Sequence, residues 1–132
     1  MRVALDIDDT ITRCPRFFSL ISKALIAAGH DVFVISYRQD REAVEQELKN
    51  ECDIAFNKVV LPTDEELDKE GLYGWKANAC RRLESDIFFE DMPEVINELD
   101  PSVIAFMPCD AELGKVTYSE PPGKETAGGS GA

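Results

Sequence analysis

Arg2-Val3-Ala4-Leu5-Asp6-Ile7-Asp8-Asp9-Thr10 opens the chain with a short apolar run that breaks into acidic residues. A run of this kind reads as a buried strand ending at a polar turn. Four further runs repeat the pattern: Asp31 to Ser36, Lys58 to Leu61, Asp86 to Glu90 and Ser102 to Met107. Several are continuously apolar, as strands buried on both faces must be, and Val32-Phe33-Val34-Ile35 is the clearest. Helical patterns alternate with them. Phe17, Ile21, Ala24 and Ala28 share a face between the first two strands, with Pro15 near the start and Gly29 at the end. Asp40 can cap a helix carrying Val44 and Leu48, a third helix runs from about Trp75 to Leu83, and a fourth follows Pro93 through Val95, Ile96 and Leu99. Strands alternating with helices specify an α/β protein: a three-layer, Rossmann-like fold around a five-stranded parallel sheet.

At 132 residues the chain has room for one core, which we place at 1–110. Residues 111–132 form a C-terminal extension, and from about Ser119 onward (SEPPGKETAGGSGA) the composition is that of a disordered segment. Apolar residues at 44% and charged residues at 30% fit a folded domain. The formal net charge of -12 repels polyanions, which disfavours nucleic acid and anionic membranes as partners. Cys14, Cys52, Cys80 and Cys109 are far apart, and His30 is the only histidine, so a zinc site is not expected. No signal-peptide pattern and no apolar run of about 20 residues is present, and the expectation is a cytoplasmic protein with free thiols.

Ligands of an open parallel sheet bind beyond the carboxyl ends of its strands. Asp6-Ile7-Asp8-Asp9-Thr10 follows the first strand, Ser36-Tyr37-Arg38 the second and Glu90-Asp91 the fourth, while Lys76 begins the helix that feeds the fourth. All should converge on one crevice. Asp6 and Asp8 can approach a common cation, Asp91 would complete the site, and close carboxylates of this kind select Mg²⁺. A cation there lowers the repulsion between a carboxylate nucleophile and a phosphate monoester. Ser36 and Lys76 would hold the phosphoryl oxygens. Arg13, Arg16, Arg38 and Arg41 follow strand ends and could form a rim that attracts a phosphorylated substrate. Trp75 reads as core or cleft wall and His30 as an exposed turn residue. A calcium loop starting at Asp6 fails, because Ile11 and Phe17 stand where Gly and Glu are required.

Together Asp6-x-Asp8-x-Thr10, Ser36, Lys76 and Glu90-Asp91 resemble the four motifs of the haloacid dehalogenase superfamily, over roughly residues 1 to 110. The resemblance implies strand order 5-4-1-2-3 and hydrolysis of a phosphate monoester through an aspartyl-phosphate on Asp6. It also implies Asp8 as general acid and then base, Ser36 and Lys76 on the phosphoryl group, and Mg²⁺ held by Asp6, Asp91 and the backbone carbonyl of Asp8. The commonest family form has Gly at the positions of Asp9 and Glu90. The intervals that would hold a cap contain one helix in the first case and a helix, a strand and a short loop in the second, so the chain resembles a capless member. Two alternatives stay in view: a catalytically weak binding protein of the same fold, and a receiver-like phosphoacceptor domain. The receiver requires an Asp ending the third strand, where Pro62-Thr63 stand instead.

Overall fold

The computed structural model describes residues 1–111. Five strands, β1 (Arg2–Leu5), β2 (Asp31–Ile35), β3 (Lys58–Val60), β4 (Ile87–Phe89) and β5 (Ile104–Phe106), form one sheet in the order β3-β2-β1-β4-β5. That is the expected order read from the other edge. Every pairing is parallel, with Val3 opposite both Val32 and Ile87, Phe33 opposite Lys58, and Ile87 opposite Ile104. The helices are α1 (Pro15–Ala27), α2 (Arg41–Gln46), α3 (Asp64–Glu70), α4 (Leu72–Arg82) and α5 (Pro93–Ile96). The expected extension from 111 onward lies, apart from Ala111, outside the described residues. Among the described residues no helix is long and apolar enough to cross a membrane.

Alternation along the strands divides the core into two layers. Val3, Leu5, Val32, Val34 and Val59 face Phe18 of α1 with Val44 and Leu48. Ala4, Phe33, Ile35 and Phe88 face the opposite way, onto Trp75, Ala79 and Cys80 of α4 and Val95 of α5. Trp75 is therefore core, and its Nε1 donates to Glu66 at 3.3 Å.

Local chemistry sets the helix ends. Pro15 occupies the first turn of α1, where no N–H is needed. At its other end Gly29 adopts φ 88°, the amide of His30 donates to the Leu25 carbonyl at 2.9 Å and that of Gly29 to Ile26 at 3.0 Å. That closure needs a residue at ease with positive φ. His30 is half-buried rather than exposed, because its Nδ1 lies 2.7 Å from the N-terminal amine. Asp40 caps α2 as expected, accepting from Ala43 N at 3.1 Å.

The strands are each a residue or more shorter than the apolar runs, and between β3 and β5 the helices differ from the sequence reading in three places. The interval read as a short loop before Trp75 contains α3, fixed by a capping box in which Glu66 N donates to Thr63 Oγ1 and Thr63 N to Glu66 Oε1, both at 3.1 Å. Helix α4 begins at Leu72 instead of Trp75, after Gly71 at φ 80° breaks it from α3. Helix α5 stops at Ile96, short of Leu99, which is still partly buried against the core.

Candidate active site

Asp6 is the first residue past β1, and its amide donates to the Phe89 carbonyl at 3.0 Å, so the ends of β1 and β4 are stitched together. The residue is 4% exposed. Its two oxygens are each engaged: Lys76 Nζ donates to Oδ1 at 2.5 Å and Thr10 Oγ1 to Oδ2 at 2.9 Å. Lys76 projects from the middle of α4 and is 1% exposed. Its ammonium also sits 2.9 Å from Glu90 Oε1 and 4.6 Å above the Tyr37 ring centroid. Among the described residues that Glu90 oxygen has no partner beyond the Lys76 ion pair, while Glu90 Oε2 accepts from Met92 N at 3.0 Å. A lysine between two buried carboxylates is the centre of the site.

Carboxylate oxygens of Asp6, Glu90 and Asp91 lie within 4.8 Å of one another. Fully ionised, these three acids and Lys76 would carry two net negative charges in a largely buried place. Such a set is expensive unless a cation neutralises it. Hard oxygen donors and a twofold charge deficit suit a divalent ion such as Mg²⁺, so the residues fit the expected metal. Of the expected ligands, Asp6 and Asp91 come together with Glu90 as a third.

The Asp8 carboxylate points elsewhere. Arg38 Nη2 donates to its Oδ1 at 2.6 Å and Nε to its Oδ2 at 3.2 Å. On its other edge the Arg38 guanidinium pairs with Glu47, on the wide helical turn Glu47–Glu51 that extends α2. The Asp8 side chain remains 64% exposed. Ser36 is buried beyond β2, and its Oγ accepts from Arg38 N at 3.1 Å. Of the expected arginine rim, Arg38 is occupied by two carboxylates, and Arg41 donates to the Val59 carbonyl at 2.9 Å. Arg13 stays exposed and donates through Nε to the Asp9 carbonyl at 3.0 Å; Arg16 is exposed on α1.

The acids are tuned by these surroundings. Burial pushes Asp6 up to about 7, with Lys76 pulling back and Glu90 pushing further. Burial likewise raises Glu90 against the pull of Lys76. The hydrogen bonds from Arg38 hold Asp8 below the usual carboxylate range. Tyr37 is raised by burial and by the nearby Glu90 and Asp6 charges.

Asp9 adopts φ 62°, the left-handed region that favours Gly and that Asp tolerates better than most residues. Its amide donates to Thr12 Oγ1 at 2.9 Å, which holds the turn. The acidic residue thus occupies a conformation in which Gly is the commoner choice. Thr10, Tyr37 and Glu47 are the site residues whose roles sequence reasoning did not assign. Thr10 had a signal, in its spacing from Asp6; Glu47 had none. No protein-family model matches the chain, and neither a curated protein nor a solved structure matches it.

Proposed function

We propose that the chain is a Mg²⁺-dependent phosphomonoesterase of the haloacid dehalogenase type, without a cap, and that Asp6 is its nucleophile. The observation that carries this reading is the buried Asp6–Lys76–Glu90 array beside Asp91, at the carboxyl ends of two adjacent parallel strands. Asp6, Glu90 and Asp91 would hold the ion, which would offset phosphoryl charge.

Asp6 attacks phosphorus through a carboxylate oxygen, the phosphorus–oxygen bond to the alcohol breaks, and Asp8 gives that alcohol its proton. Water then returns a proton to Asp8 as it attacks the aspartyl-phosphate, releasing inorganic phosphate and restoring Asp6. Lys76 and Ser36 steady the phosphoryl oxygens. Arg38 holds Asp8 ionised in the resting structure, so the Asp8–Arg38 bridge opens and Asp8 takes up a proton from solvent before it protonates the leaving alcohol. A phosphorylated substrate supplies a competing anion for Arg38.

That bridge favours a second reading, in which Asp6 accepts a phosphoryl group or binds a phosphorylated partner with little turnover. The receiver version fits poorly: β3 leads through Leu61 and Pro62 into Thr63, the cap of α3, with no acid at its end. Free thiols at all four cysteines favour a reducing, cytoplasmic setting. The test is phosphate release from a panel of monoesters with and without Mg²⁺, comparing the wild type with Asp6→Asn and Asp8→Asn. Mg²⁺-dependent release abolished by Asp6→Asn is expected. No release, with an acid-labile mass adduct from acetyl phosphate, would replace the hydrolase with the phosphoacceptor.

A further inference from the structure

Tyr37 stands against the buried Asp6–Lys76–Glu90 array, and the proposed chemistry gives it no task. It follows Ser36 at the end of β2, and contacts at three points fix its ring. The hydroxyl donates at 2.8 Å to the carbonyl of Leu72, the first residue of α4. The ring packs on that of Trp75 with the centroids 5.8 Å apart and the planes inclined by 43°. Trp75 is itself buried and hydrogen-bonded to Glu66, so it does not yield. The face of the Tyr37 ring meets Lys76 Nζ, 4.6 Å from the centroid. Leu72 and Lys76 are one turn apart on the same side of α4, and Tyr37 spans that turn with its hydroxyl at one end and its ring at the other. Burial, helped by the Glu90 and Asp6 charges, raises the phenol, which therefore stays protonated and keeps donating.

An ammonium within about 6 Å of an aromatic centroid is attracted by the negative face of the ring, most strongly where water is excluded. Lys76, at 1% exposed, meets that condition. Its other partners, Asp6 and Glu90, are carboxylates that would also hold the ion. Negative charge given to a cation between them is charge withdrawn from the ammonium. The ring does not enter that competition, because a hard ion selects oxygen donors and leaves an aromatic face alone. An aliphatic side chain of the same bulk would fill the space and offer the ammonium no such attraction.

We infer that Tyr37 is a positioning residue, whose ring face holds the Lys76 ammonium at Asp6 while the carboxylates turn to the ion. The catalytic consequence rests on the phosphomonoesterase reading; the hold on Lys76 does not.

The test replaces Tyr37 by Phe and then by mono-, di- and trifluorinated phenylalanines, which keep the shape of the ring and withdraw charge from its face. Melting curves confirm that each variant folds. Two quantities are read on the full chain. One is the exchange rate of the Lys76 ammonium protons with water by nitrogen-15 NMR, in chelator and in Mg²⁺, the resonance being assigned by its absence from Lys76→Met. The other is kcat for Mg²⁺-dependent phosphate release. Tyr37→Phe loses one solvent-exposed hydrogen bond and keeps the ring, so it is expected to shift either quantity by no more than about threefold. Along the fluorinated series exchange is expected to quicken and kcat to fall, each by roughly 5- to 30-fold in all, the worth of a desolvated cation–π contact. The exchange series is expected to be steeper in Mg²⁺. Exchange that stays flat in Mg²⁺ overturns the proposal whatever the activity. An active phosphatase whose kcat stays flat while exchange climbs overturns the positioning role and leaves the phosphatase intact. A loss in Tyr37→Phe as large as that of the whole series moves the role to the Leu72 hydrogen bond and overturns it as well. Exchange that climbs in a chain releasing phosphate from no monoester upholds the hold on Lys76 and sinks the phosphatase reading alone.

Discussion

Replacing Lys76 by Met keeps the bulk beside Tyr37 and removes the ammonium that pairs with both Asp6 and Glu90. Breaking a buried ion pair by deleting one partner costs about 3–5 kcal/mol, and here a single cation serves two carboxylates, which places the loss in the upper half of that range. The pH dependence has a definite sign. In the wild type burial has already raised Asp6 to about 7, so below that value both proteins carry a proton on the acidic pair and their difference is nearly constant. Above pH 7 the wild type releases its proton, whereas the variant, lacking the pull of Lys76, retains it. The folded variant then binds more protons than the folded wild type, and the loss grows by up to about 1.4 kcal/mol per pH unit. Urea denaturation in chelator between pH 6 and 8.5, followed by Trp75 fluorescence, measures this directly, because Trp75 is the single tryptophan and is buried. A loss below about 1 kcal/mol at pH 7.5, or one that shrinks as pH rises, would refute the reasoning.

Further outcomes follow from the same contacts. Asp6→Asn removes a carboxylate whose pKa is raised from 3.8 to about 7, so in chelator its stability relative to wild type should climb from about pH 4 to pH 7 and then level, the full span being about 4 kcal/mol; parallel urea midpoints across that range check it. Arg38→Gln should let the Asp8 carboxyl titrate closer to an ordinary aspartate, read by carbon-13 NMR of its side-chain carbonyl. Thr63→Ala removes one half of the α3 capping box and should cost about 1 kcal/mol in chemical denaturation.

The strands were legible because a parallel sheet covered on both faces demands nearly uninterrupted apolar residues, and Val32 to Ile35 meet that demand without ambiguity. Helix α3 was not, since Asp64 to Glu70 contains one partly buried apolar residue, Leu67, and periodicity had nothing to act on. Its signal lay in Thr63-x-x-Glu66, a capping pattern that carries a helix start without an apolar face. Among site residues, Asp6 and Asp91 could be placed from strand ends and Lys76 on the helix before β4, though that helix begins a turn earlier, at Leu72. The partner of Asp8 could not, because Arg38 reaches it only after β2 and the turn at Glu47 fix both edges of the guanidinium.

Glu90 shows why the fold and the site have to be reasoned about together. It is fully buried, one of its oxygens is met only by the Lys76 ammonium among the described residues, and its charge raises both Asp6 and Tyr37. A position needed only for packing would be filled at lower cost by an apolar residue. Retaining an acid there, with Lys76 supplying one of the three positive charges that the carboxylates call for, leaves the metal-free fold under an electrostatic load. A divalent ion that relieves that load binds the native state and not the unfolded chain, and so raises stability as its concentration exceeds its dissociation constant. On the proposed function, the array that would prepare Asp6 for attack on phosphorus would thereby also tie the stability of the fold to the ion.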